Sequence, residues 1–202
     1  SEENIMPLGA NKAAIMGVAG TSAAADVVLL STQTASSSAS LSFTSDLTST
    51  YGEYIFGLYT LHPQTDTADM TFNASIDGGS NYNVTKTTTY FRAYQTEAGA
   101  DATVSYDDAK HIYQGTGYQI LNASVDNDAD GNCVGKLHLF NPASTTYVKQ
   151  FYYTSSTSHS SPAARNEYVS GYFNTTSAVN AVAFKFSSGN IDVGKIKMWG
   201  VK

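Results

Sequence analysis

From Asp26 to Lys202 apolar side chains recur at every second position in short runs, and that period leaves room for little but β structure. Met70, Phe72, Ala74 and Ile76 alternate cleanly, as do Leu41 and Phe43 among serines. Thr87 to Tyr94, Ala102 to Tyr106, Tyr118 to Val125, Leu137 to Phe140, Tyr147 to Tyr153 and Glu167 to Phe173 continue the series. Gly, Asn, Asp and Ser punctuate the runs, as in Asp77-Gly78-Gly79-Ser80. Only residues 1–24 break the pattern. About ten to twelve strands at this spacing predict an all-β fold, a jelly-roll-like β-sandwich over residues 25–202.

Two stretches carry the strongest expectations. In Glu53–Leu61, Tyr54, Phe56 and Leu58 fall on one face and Ile55, Tyr59 and Leu61 on the other, which predicts a central strand covered on both sides. Gly57 in its middle predicts a bulge or a close backbone approach. In Asn180–Lys202, Val182, Phe184 and Phe186 share a face, then Ile196 and Met198, with Ser187-Ser188-Gly189-Asn190 between them. That reads as a C-terminal hairpin built into the sheet. Trp199 falls opposite Met198, either under further protein or at a contact surface. Ser155 to Ser161 reads as a long exposed loop.

Charged residues make up only 14%, well below the roughly 25% of an average soluble domain. A surface so dependent on Ser, Thr and Asn suits packing against other protein. The net charge of -6 without a basic cluster gives no electrostatic footprint for nucleic acid. No apolar run approaches the roughly 18 residues of a membrane-spanning helix. The first charges, Glu2 and Glu3, have the wrong sign for a secretory leader. One cysteine, Cys133, rules out an internal disulfide, so the fold stands on packing.

Residues 1–24 are rich in Ala and Gly but carry Ile5, Met6, Leu8, Ile15 and Met16. A purely solvated tail needs none of these. They predict an arm that orders on a neighbouring subunit, and with Trp199 they are the candidate partner interface.

Asp126-Asn127-Asp128-Ala129-Asp130-Gly131 copies the first half of a calcium loop, oxygen ligands at alternate positions and then Gly. The closing Glu is missing, because its position holds Leu137, a strand residue. Asp126, Asp128 and Asp130 are therefore the candidate metal ligands, for calcium, and an acidic turn is the alternative. The histidines show no metal spacing, Cys133 reads as an inert buried thiol, and no catalytic residue or other cofactor is indicated. A carboxylate pair of a β-rich glycan hydrolase or lyase would have to be found in space rather than along the chain.

Gly135-Lys-Leu-His-Leu-Phe-Asn-Pro-Ala-Ser-Thr-Thr-Tyr-Val-Lys149 and the closing Phe184-Lys-Phe-Ser-Ser-Gly-Asn-Ile-Asp-Val-Gly-Lys-Ile-Lys-Met-Trp-Gly200 resemble structural proteins of tailed bacteriophages. In those, such a hairpin ends a β-rich module of virion fibres and head decorations. The resemblance covers roughly the second half of the chain. It implies a virion-exterior location and no cofactor, and it supplies no catalytic residues; a non-enzymatic role is the expectation. The leading expectation is a capsid decoration or cement protein, a homo-oligomer with a trimer favoured, bound to the major capsid protein. The alternative is a tail-fibre module holding host surface glycan on Tyr-, Ser- and Asn-rich loops.

Overall fold

A computed structural model describes residues 26–202. The arm residues Ile5, Met6, Leu8, Ile15 and Met16 lie outside the described part. Twelve strands and no helix make up the described chain: β1 (Val27–Ser38), β2 (Leu41–Phe43), β3 (Glu53–Pro63), β4 (Ala68–Ser75), β5 (Lys86–Thr96), β6 (Ala102–Tyr106), β7 (Gln119–Val125), β8 (Cys133–Phe140), β9 (Lys149–His159), β10 (Ala163–Phe173), β11 (Ala181–Phe186) and β12 (Ile191–Val201).

The pairing order has jelly-roll topology. One layer runs β1-β12-β3-β8 and the facing layer runs β2-β11-β4-β7, all antiparallel. Chain neighbours such as β1 and β2, or β11 and β12, thus lie in opposite layers. The remaining strands widen the first layer beyond β8, as β9, β10, β5 and then β6. We call this four-stranded extension the wing. The layers join through a single ladder pair, Val125 with His159.

Phenylalanines from both layers meet between them. Phe72 of β4 packs edge-on to Phe151 of β9 at 5.0 Å and to Phe173 of β10 at 5.9 Å. Phe56 of β3 meets Phe184 of β11 at 5.5 Å and Phe43 of β2 at 5.3 Å. All are buried, and such pairs add about 0.5–1.5 kcal/mol each beyond the area they bury.

Three sequence expectations change. The C-terminal hairpin is not a hairpin. Its two strands are β11 and β12, each hydrogen-bonded on both sides to other strands, and Ser187–Asn190 crosses between the layers. Period two identifies a strand but does not identify its partner. The chain does end on a centrally paired strand.

The second change concerns β3. Tyr54, Phe56 and Leu58 are buried as expected, but Tyr59 is exposed and Ile55 only half-buried. Leu61 returns to the core because the register shifts between Leu58 and Leu61, where Thr60 takes a φ of 50°. The outer face of this strand is apolar without being covered.

Third, Ser155 to Ser161 is not a loop. It forms the second half of β9 and the turn into β10. Ser155 and Thr157 point inward and each donates a 2.8 Å hydrogen bond to Glu167 Oε2. Glu167 is fully buried, with Oε1 2.9 Å from Arg165 Nε, and Arg165 also donates to the Tyr90 hydroxyl at 3.3 Å. Thr157 accepts from the Asn122 amide, whose oxygen takes the Tyr153 hydroxyl. Hydroxyls are tolerated inside because a buried carboxylate needs donors. Burial pushes the Glu167 pKa up despite Arg165 and the two hydroxyl donors.

Removing Glu167 leaves Arg165 buried without its counter-charge, a change that costs about 3–5 kcal/mol in comparable sites. Urea denaturation of Glu167→Ala is expected to show a loss of that order. A loss below about 1 kcal/mol would mean the pair contributes little.

Lys86, also buried, donates to the Gly117 carbonyl and lies 5.7 Å from the Phe173 ring centroid. Desolvation lowers its pKa from 10.5 to about 8. Between these values the unfolded chain holds a proton that the folded chain has released, so stability from this group rises with pH across the window. Denaturation of wild type and Lys86→Met from pH 7 to pH 10.5 is expected to show a difference that moves in favour of wild type as pH increases. A difference independent of pH would contradict the buried-amine assignment.

Candidate interaction face

The wide layer has one face against the core and one face outward. Cross-strand partners share a face, so the ladder registers map the outer side row by row. One row reads Tyr106, Phe91, Tyr168, Thr154, Lys136, Gly57 and Lys197 across β6, β5, β10, β9, β8, β3 and β12. The next reads Thr89, Ser170, Tyr152, His138, Ile55, Trp199 and Leu29, ending on β1. On the other flank lie Val104, Ala93 and Asn166.

The wing end of this face is aromatic. Phe91 and Tyr168 stack at 4.7 Å with planes 8° apart. Tyr106 and Tyr152 are exposed beside them, and Val104 is 74% exposed. β6 is the outermost strand, paired on one side only, by β5. Tyr152 stacks in turn on His138 at 4.4 Å, and His138 Nδ1 lies 2.5 Å from Glu53 Oε1. His138 is thus the strand-face residue its alternation implied.

The roll end is aromatic and cationic. Trp199 and Tyr59 lie 6.3 Å apart over Gly57. A Cβ on Gly57 would stand 2.9 Å from the Trp199 ring and 3.0 Å from that of Tyr59, so glycine is what lets the two rings, with planes 61° apart, come this close to the backbone. The sequence indicated a bulge or a close backbone approach here; what comes close is instead two side-chain rings, and the ladder is regular at Gly57. Lys197 sits 5.7 Å from the Tyr59 ring centroid. Lys136 and Lys197 flank Gly57 in register, and Lys195 pairs with Tyr59. Lysines that look scattered in sequence are gathered here by the pairing of β8, β3 and β12. Beside them a shallow depression is lined by Gly57, Tyr59, Val134, Lys136, Thr154 and Ser156, among others.

The acidic turn follows a different logic. Asp126 Oδ1 accepts from the Asp128 backbone N–H at 3.1 Å, and the Asp128 carbonyl accepts from Gly131 N–H at 2.7 Å and lies 3.1 Å from His62 Nε2. Asp126, Asp128 and Asp130 form a turn between β7 and β8. Among the described residues no group of three or more His, Cys, Asp or Glu is placed to hold a metal ion. Glu97, Asp101 and Asp108 are exposed, and Asp107 lies 3.7 Å from Arg92. Cys133 is fully buried, and burial pushes its thiol pKa well up. No family model matches the chain, and no curated protein matches it.

Trp199 is the chain's only tryptophan and so reports on the roll end directly. Gly57→Ala is expected to lift the indole off the sheet, giving a red-shifted emission with an unchanged far-UV circular dichroism spectrum. An unshifted emission would show that the ring does not rest on Gly57.

Proposed function

We propose that the chain is a non-enzymatic structural module of a tailed-phage virion exterior, of the capsid decoration type, and that it attaches through the wing. The observation that carries this reading is the exposed row Tyr106–Phe91–Tyr168, with Val104 and Tyr152 beside it. Aromatics concentrated on an outward sheet face are what the core of a protein–protein contact is made of. The phage resemblance of the second half of the chain supplies the setting, and the jelly roll suits it. The upward-shifted carboxylate, Glu167, is sealed inside with Arg165 rather than open to a substrate, which favours attachment over hydrolysis.

The partner on this reading is the major capsid protein, with symmetric self-association, a trimer first, arranging the copies. The apolar area gained supplies about 25 cal/mol per Å² before association costs. β6 adds an open strand edge at the same end, a further route to pairing with protein.

The test is co-sedimentation of the isolated chain with capsids stripped of it. Phe91→Asp with Val104→Asp is expected to weaken capsid attachment by about 30-fold, the effect of losing a contact worth about 2 kcal/mol. Folding stability should fall by no more than about 1.5 kcal/mol, the upper value of one aromatic stack. Undiminished sedimentation of the folded double variant would remove the wing from the attachment surface.

A further inference from the structure

We propose that the roll end of the outer face, around Gly57, is a binding site for an anionic sugar residue. This goes beyond attachment through the wing and does not depend on it.

Charge sets the sign of the ligand. The protein carries -6 overall, yet three lysines meet on this patch. Among the described residues, Lys136, Lys195 and Lys197 have no carboxylate within salt-bridge distance, whereas Arg165 is beside Glu167 and Arg92 beside Asp107. Lys86 and Lys149 are buried. The cations left for an outside partner therefore include a cluster on one patch. An acidic ligand is the chemistry that complements them.

The second observation is shape. Tyr59, exposed, and Trp199, half-buried, stand over Gly57 with their ring planes 61° apart, so they form a corner with Gly57 as its floor. A sugar's axial C–H face packs on such rings while its hydroxyls need donors and acceptors at the rim. The exposed hydroxyls of Thr154 and Ser156 line the adjoining depression with Lys136. Stacking surface, hydroxyls and ammonium groups lie together within one site.

A third observation favours a sugar over an acidic peptide. β12, β3 and β8 are each hydrogen-bonded on both sides. An extended peptide binding by strand addition requires a free edge, and none exists at this point of the sheet. The patch recognises rings and charges from above, without backbone ladders.

Trp199 makes the test direct, because any ligand lying on the patch perturbs the chain's single indole. The isolated protein is titrated with oligogalacturonate, with sulfated dextran oligosaccharide, with neutral dextran oligosaccharide and with poly-glutamate. A saturable change in Trp199 emission with oligogalacturonate or the sulfated oligosaccharide is expected, and none with neutral dextran. Whichever of the two responds identifies the acid as carboxylate or sulfate. Lys136→Gln with Lys197→Gln is expected to weaken binding by about tenfold or more, a change of about 1.4 kcal/mol. Tyr59→Ala should weaken it comparably with folding intact by circular dichroism. The Phe91→Asp, Val104→Asp variant should titrate like wild type, which separates this site from the wing. Silence of Trp199 toward both acidic oligosaccharides would overturn the proposal. So would poly-glutamate binding as tightly, or unchanged affinity in the double lysine variant.

Discussion

Contact between phenylalanines of the two layers is what the rest of the molecule depends on. The layers share one ladder pair, Val125 with His159, and no disulfide is available. Backbone hydrogen bonds hold each layer together as a sheet but do almost nothing to hold one sheet on the other. That task falls to Phe72, set between Phe151, Phe173 and Phe184, and to Phe56 between Phe43 and Phe184. Because β1 to β2, β2 to β3, β3 to β4, β7 to β8 and β11 to β12 each cross between layers, those turns of chain also carry pieces of this core from one side to the other.

The polar interior under the wing is a second, narrower solution. Strand β9 has Ser155 and Thr157 where a hydrophobic core would ask for Val or Leu, and Glu167 of β10 is the reason. One carboxylate takes both hydroxyls and faces Arg165, while Asn122 ties Thr157 to Tyr153. In a low-dielectric interior the hydrogen bonds of such a network strengthen one another, and the Arg165 charge beside Glu167 adds to them. The network also lets the sheet continue past β8 without a uniformly greasy strand. The outer face of that extension is then free to carry Phe91, Tyr168 and Tyr152, and the two faces of the wing divide the labour between support and contact.

Much of the fold was readable from alternation. Met70-Phe72-Ala74 and Leu41-Phe43 are inward-facing runs in β4 and β2, and Leu137 is a buried strand residue that breaks the calcium pattern. Partnership was not readable. β11 and β12 look like a hairpin because a short turn separates two apolar runs, and the same sequence serves equally for a crossing between layers. Ser155–Ser161 looked like a loop because composition says nothing of a carboxylate about ten residues later that binds its hydroxyls. The candidate face was visible only in fragments, as Gly57, Trp199 and a surplus of tyrosines. Lys136 stands about sixty residues from Lys195, and no local pattern connects them.

By itself the sequence determined that the chain from Asp26 is β throughout, disulfide-free, and in need of a two-layer core, because period and composition are local properties of the chain. It also marked Gly57 as an unusual strand position, without saying that two rings would close over it. Only the tertiary structure decided which strands neighbour one another, and with that which side chains share a surface. Register is the physical reason. A strand's alternation sorts its residues into two faces, but the hydrogen-bonded partner chosen from far along the chain decides what those faces assemble. Here that choice lined up Tyr106, Phe91 and Tyr168 at one end of a sheet and set three lysines around two rings at the other.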